Sequence, residues 1–249
     1  MNIFVVVGHP DSSSFSHAIA QTAIQTVQRS GHAVMFHDLY AEAFHPVISA
    51  QEARHARSDD PLVEQHCREL ALADGIIVVH PNWWGQPPAI LKGWIDRVLR
   101  PGVAYDWGPA DRGEGVPMGL LHPAIALVFN TANTPWEREI TVFGNPLDTV
   151  WRNCVFGLCG VETIERRVYG PMATSTADER GNWLHEVETL VRQCYPSEST
   201  EQGVAPDACE RGQIHEYNRV VRVARAFLTL WSAGELERSP VSRSVHRVQ

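Results

Sequence analysis

Gly75-Ile76-Ile77-Val78-Val79-His80-Pro81-Asn82-Trp83-Trp84-Gly85-Gln86-Pro87-Pro88 changes character halfway along. Its first five residues are small or apolar with no polar alternation, as expected of a strand covered on both faces. His80–Pro88 then carries three prolines and a glycine, so neither strand nor helix continues through it. A helix is predicted over 88–99.

The same alternation recurs on either side. Ile3–Val7, Ala33–Phe36 and Ala124–Phe129 read as strands, with Val161–Val168 a weaker fifth, and helices are predicted over 15–29, 61–73 and 146–158. Strand-helix-strand alternation at this spacing predicts an α/β, doubly wound parallel sheet. Five strands and a short first loop favour the order 2-1-3-4-5. A ligand then sits beyond the carboxyl ends of strands 1, 3 and 4. Thr176-Ala177-Asp178-Glu179 has the form of a capping box, followed by Trp183, Leu184, Val187, Leu190, Val191 and Cys194 on one helical face. Ser197–Asp207 is polar and turn-rich, and a last amphipathic helix is expected over 209–236. The expected division is therefore a domain over 1–196 and an extension of linker, helix and tail over 197–249.

Composition narrows the function. The 249 residues hold 21 basic and 29 acidic side chains, a net charge of −8, which argues against nucleic acid as a partner. No apolar run approaches the roughly 18 residues of a membrane span. Met1–Val7 has no basic region or cleavage site and is read as a strand rather than a signal peptide. Five cysteines without a C-x-x-C pair suggest reduced thiols and a cytoplasmic protein. The histidines show no H-E-x-x-H or paired Cys/His spacing, so no metal site is expected.

Three segments carry candidate chemistry. Gly8-His9-Pro10-Asp11-Ser12-Ser13-Ser14-Phe15-Ser16-His17 leads from the first strand into a helix. Hydroxyls and first-turn amides suit such a loop to hold a phosphate without lysine. It is neither G-x-G-x-x-G nor a P-loop, which argues against a dinucleotide fold of that type and against an NTPase. His80–Pro88 places Trp83 and Trp84 between prolines as a stiff platform for a flat heteroaromatic ring. Asn130-Thr131-Ala132-Asn133-Thr134-Pro135 would reach the same crevice from the fourth strand.

The H-P-D-x-x-S-F-S-H-A loop and P-N-W-W-G-Q-P-P-A-I-L-K-G-W-I-D-R-V-L resemble the flavodoxin-like NAD(P)H:quinone oxidoreductases over about residues 1–195. The resemblance implies the flavodoxin-like form of the doubly wound sheet and a flavin cofactor. It implies FMN, or else FAD, with NADPH or NADH as hydride donor and ping-pong transfer through flavin N5 to a quinone, azo or nitroaromatic acceptor. By position, His9, Ser14, Phe15 and Ser16 would lie at the flavin phosphate. Pro81, Asn82, Trp83 and Trp84 would line one edge of the ring, and Asn130, Thr131, Ala132 and Asn133 another. Trp84 and Thr131 would orient the ring for transfer. Tyr105 and Trp107 match aromatic residues that cover the pocket from a partner subunit, which implies a homodimer.

Two departures stand out. The mammalian members carry T-T-G-G and then a tyrosine and a histidine that assist transfer. Here Asn130-Thr131-Ala132-Asn133 replaces the first, and Trp136–Pro146 holds neither Tyr nor His. Arg138 falls near the tyrosine position and is the candidate to stabilise an anionic reduced flavin, although Glu137 and Glu139 flank it. The extension after Pro196 is not matched to the family. Both departures favour an alternative, a regulatory subunit that docks on a transporter or enzyme with little turnover of its own.

Overall fold

The computed structural model describes residues 1–55, 57–108, 115 and 117–197. The helix and tail expected in the extension lie outside the described residues.

A five-stranded parallel sheet organises the chain. Its strands are β1 (Asn2–Val7), β2 (Ala33–Asp38), β3 (Gly75–Pro81), β6 (Ile125–Thr131) and β7 (Thr163–Tyr169), in the order β2-β1-β3-β6-β7. This is the order 2-1-3-4-5 in a flavodoxin-like arrangement. β3 is buried at every position and β1 at all but its first, which is why both strands read as unbroken apolar runs.

Helices cover both faces. On one lie α1 (Phe15–Arg29) and α8 (Ala177–Cys194), packed through Ile19, Ala23, Val27, Val187 and Val191 onto Ile3, Val5, Ile77 and Leu127. The other face holds α3 (Pro61–Ala71), α4 (Ala89–Val98) and the helical stretch 146–159. Leu70, Trp94, Trp151 and Phe156 from these elements meet Phe4, Val6, Ile76 and Val128. The expected capping box at Thr176 and Glu179 opens α8, with both reciprocal hydrogen bonds formed.

Some details differ from the sequence expectation. The helix expected over 146–158 is α6 (Pro146–Thr149), a π-helical stretch Val150–Phe156 and α7 (Gly157–Cys159) in succession. Four short elements among the described residues have no clear periodicity to mark them: α2 (Ala50–His55), β4 (Tyr105–Asp106) and β5 (Met118–Gly119), which pair as a ribbon, and α5 (Trp136–Thr141). Among the described residues no helix is long and apolar enough to cross a membrane.

Candidate active site at the carboxyl ends of the strands

The chain leaves β1 toward β2 on one side, whereas β3 leads to β6 and β7 on the other. The crevice beyond the carboxyl ends at that divergence is where such sheets hold ligands. Register brings the segments level, with Val7 beside Val79, His80 beside Asn130, and Pro81 beside Thr131.

The loop after β1 is shaped by Asp11. Ser13 donates to its Oδ1 through both amide (2.8 Å) and hydroxyl (2.7 Å), and Ser14 N donates to its carbonyl at 3.1 Å. These bonds deliver Ser14 as the N-cap of α1, its Oγ accepting from His17 N at 3.3 Å. The amides of Phe15 and Ser16, in the first turn, have no intrahelical acceptor. His9 Nδ1 faces both the amide (3.1 Å) and the carbonyl (3.2 Å) of Asp11, accepting from the first in the neutral ring and donating to the second when it carries a proton. Burial lowers the His9 pKa and favours that neutral form.

After β3 the chain forms a tight turn. Trp83 and Gln86 exchange backbone hydrogen bonds of 3.1 and 3.0 Å around Trp84 at φ 58° and Gly85 at φ 71°. Two successive positive φ values define a type I′ turn, in which the first residue is seldom a tryptophan. Trp84 is 101% exposed and Trp83 42%. Asn82 pins the turn: its N donates to Thr131 O at 2.7 Å, Gly85 N donates to its Oδ1 at 3.0 Å, and its Nδ2 donates to Glu139 Oε1 at 3.0 Å.

The three segments meet. Ser16 Oγ and Thr131 Oγ1 are hydrogen-bonded at 3.2 Å, the Asn82–Thr131 bond ties β3 to β6, and the His9 and Trp83 rings lie 6.2 Å apart. His9, Ser14, Ser16, Asn82, Trp83 and Thr131 thus belong to one connected site at the end of the sheet.

Other candidates are placed differently. Asn130 is fully buried, its Nδ2 donating to His80 Nε2 at 2.9 Å and its Oδ1 accepting from Arg166 Nε at 2.6 Å. Its side chain therefore braces the floor of the crevice. Trp151 Nε1 also donates to His80 Nε2 at 3.0 Å, while His80 Nδ1 donates to Pro81 O at 2.8 Å. Burial pulls the His80 pKa down to about 3, so the ring stays neutral. Ala132 donates to Tyr169 O and accepts from Met172 N, and Asn133 Oδ1 accepts from Ala173 N, each at 2.9 Å. Both brace the loop after β7. Arg138 is exposed on α5, while its neighbour Glu139 is 3% exposed and points to Asn82.

Tyr105 and Trp107 stand edge to face, with centroids 6.1 Å apart. The ribbon that carries Tyr105 is tied by Leu120 N to Ala104 O and Leu121 N to Cys159 O, next to the starts of β6 and β7. Strand rise puts that edge of the sheet about 20 Å from the crevice.

His17, Asp38, Glu139 and Arg166 complete the polar framework beyond the residues the sequence motifs mark. His17 was legible at helical spacing from Ser14. Glu139 was indistinguishable in sequence from the exposed Glu137.

A second cluster lies under α3 and α4, where His37, Glu42 and His66 bring potential ligand atoms within 4.8 Å. Its hydrogen bonds commit those atoms. Trp94 Nε1 donates to His66 Nδ1 at 2.9 Å, so His66 Nε2 carries a proton toward Glu42 Oε2 at 3.1 Å. Both His37 ring nitrogens face carboxylates, Glu42 and Glu69, at 2.8 Å. The two histidines and two carboxylates form one hydrogen-bonded, charge-paired network.

The sheet order and a ligand crevice at its switch point define a flavodoxin-type protein. Residues 1–189 match the family described as flavodoxin-like fold. A protein of Haemophilus influenzae named an uncharacterized NAD(P)H oxidoreductase is 36% identical over 177 residues, covering 68% of this chain and 84% of that one. Rat NAD(P)H dehydrogenase [quinone] 1 is 24% identical over 75% of this chain and 76% of its own length. An FMN-dependent NADH-azoreductase of Bacillus anthracis, solved in complex with FMN, shares the fold. Its TM-score is 0.62 at 15% identity, covering 78% of this chain and 100% of that one. This chain belongs to the flavodoxin-like NAD(P)H oxidoreductase family.

Proposed function

We propose that this protein is a flavin-dependent NAD(P)H oxidoreductase that reduces quinones or similar electrophilic aromatics, with FMN the preferred cofactor and FAD the alternative. The carrying observation is the joining of three loops at one crevice, through Ser16–Thr131, Asn82–Thr131 and His9–Trp83, with the Trp84 indole left wholly in solvent. The donor set fits a flavin. First-turn amides and the Ser14 hydroxyl suit its phosphate, the buried Ser16 hydroxyl holds Thr131 beside it, and exposed indoles suit its ring.

A flavin bound there would supply the redox chemistry, hydride transfer through N5 from NADPH or NADH to the acceptor. The chain's own part is orientation. Asn82 and Glu139 hold the Trp83–Trp84 turn against one edge of the crevice, and Thr131, fixed by Ser16, sets the other. One crevice serves donor and acceptor in turn, which gives ping-pong kinetics. Tyr105 and Trp107 lie at the opposite edge of the sheet, so they can cover a crevice only in a second copy. That placement supports a homodimer.

The test is the anaerobic absorption spectrum of purified protein, with mass spectrometry of any released cofactor. Bleaching of a flavin band by NADPH or NADH and its return with a quinone support the proposal. A bound flavin that neither nicotinamide bleaches would leave the regulatory-subunit reading. A colourless protein that takes up neither FMN nor FAD overturns both.

A further inference from the structure

We propose that His17 is a positioning residue whose protonation frees the Ser14 hydroxyl to donate to the flavin phosphate, so that FMN binding takes up a proton. The inference rests on the flavin-binding reading above and deepens it.

The argument is a count of hydrogens. His17 Nε2 lies 2.9 Å from Asp38 Oδ2, and Asp38 Oδ1 is held by the amides of Tyr40 (3.1 Å) and Ala41 (3.2 Å). An ionised carboxylate only accepts, so His17 Nε2 carries a proton. The other ring nitrogen, Nδ1, lies 3.0 Å from Ser14 Oγ. In the neutral ring Nδ1 is a bare lone pair, and the single hydroxyl hydrogen of Ser14 is drawn to it. Ser14 then has nothing to donate to an anion in front of α1.

Protonation reverses that bond. Nδ1–H now donates to Ser14 Oγ, which already accepts from His17 N, so both lone pairs of the hydroxyl are filled. Its hydrogen is released toward the phosphate, and the imidazolium adds positive charge close by. The proton comes from solvent and is returned when FMN leaves.

Among the described residues, charged and titratable groups face His17 from two sides. Asp38 approaches from β2, His9 from the loop after β1 with ring centroids 6.3 Å away, and Asp11 acts from the same loop. Asp38 and Asp11 favour the imidazolium, and a charged His9 opposes it. Lowering of the His9 pKa by burial favours its neutral form and reduces that opposition.

The test is FMN titration of flavin-stripped protein across pH, with calorimetry in buffers of different ionisation enthalpy to count protons taken up. FMN titrates too, so wild type is read against variants. Relative to H17Q and S14A, wild type should show extra uptake approaching one proton. Its affinity should also fall more steeply with rising pH, by up to about tenfold more per pH unit.

D38N gives the sharpest outcome. The oxygen of the new amide would keep the Tyr40 and Ala41 bonds, while its NH2 group would donate to His17 Nε2 and force the neutral ring to carry its proton on Nδ1. Ser14 is then free without protonation, so D38N should bind FMN with the extra uptake gone and with higher affinity than wild type at alkaline pH. A merely structural role for the pair predicts weaker binding in D38N at every pH. Uptake in wild type equal to that in S14A, or unchanged in D38N, overturns the inference while leaving flavin binding intact. Failure of wild type to bind FMN at any pH overturns the functional reading itself.

Discussion

The Asn82 side chain donates through Nδ2 to Glu139 Oε1 at 3.0 Å, although one residue follows β3 and the other lies on α5. The bond fixes the amide so that its Oδ1 meets Gly85 N at 3.0 Å. Removing the acceptor should therefore loosen the whole turn. Glu139→Ala is expected to cost about 1–3 kcal/mol, the usual effect of leaving such a group unsatisfied, and to weaken FMN binding. Glu139→Gln keeps an acceptor and should recover most of both. Urea unfolding with FMN titration checks the pair. If Gln behaves as Ala does, the charge matters and the hydrogen bond does not.

Trp84 occupies a left-handed conformation, φ 58°, with its indole wholly exposed. Neither property favours folding, since that region costs a non-glycine residue roughly 1–2 kcal/mol. Trp84→Gly should leave the protein at least as stable, by up to about 1 kcal/mol, yet bind FMN more weakly. Gly85→Ala should do the opposite to stability, because a Cβ at φ 71° would also run into the Pro146 ring. Chemical denaturation of both variants tests this. A Trp84→Gly protein that loses stability would show that the indole packs rather than waits for a ligand.

The sheet and the site loops were legible for different reasons. Strands buried on both faces leave unbroken apolar runs, and such runs need no tertiary knowledge to interpret; Ile3, Val5 and Val7 are fully buried, as the first of them requires. Ser14 and Trp84 could be located because a parallel sheet fixes which loops share an edge. Side-chain direction was not legible. Asn130 and Thr131 are neighbours, but strand alternation sends the first into the interior and the second toward Ser16. Glu137, Arg138 and Glu139 sit on one six-residue helix, too short for periodicity to show that Glu139 alone turns inward. Short elements such as the β4–β5 ribbon are held by tertiary bonds, which leave little local pattern.

His37 makes a pH prediction. Burial opposes its charge, but hydrogen bonds and charges from Glu42 and Glu69 outweigh that and raise its pKa above the usual 6.5. Burial likewise opposes ionisation of Glu42, yet His37 and His66 lower it from 4.5 to about 2. The His37 contribution is full below pH 6.5 and is lost as pH rises through the raised folded value. The Glu42 contribution is full above 4.5 and is lost as pH falls toward about 2. Wild type should therefore exceed His37→Gln in stability most between about pH 4.5 and 6.5, with the gap closing on both sides. Urea midpoints measured from pH 3 to 9, a range of roughly two units beyond that window, give the profile. A gap that does not change with pH would show the pair to be held by packing alone.

Tyr105 and Trp107 bear on assembly. They belong to the end of the sheet where β6 and β7 begin, about 20 Å from the crevice where those strands finish. Within one chain they cannot touch a ligand there. If they act on a second copy, Trp107→Ala should impair acceptor reduction through KM while leaving the protein's own FMN affinity unchanged. Ser14→Glu should abolish FMN binding in the chain that carries it, by placing a carboxylate where the phosphate would sit. Mixing the two variants under subunit exchange forms dimers with one crevice that keeps both its own Ser14 and a partner's intact Trp107. At limiting acceptor, where Trp107→Ala alone is nearly inactive, activity should then rise above that of either variant alone, toward about a quarter of wild type for random exchange, since half the dimers are mixed and each has one competent crevice. Sedimentation must show a dimer in parallel. A monomer, or a mixture no more active than its better component, would place these aromatic residues outside the reaction.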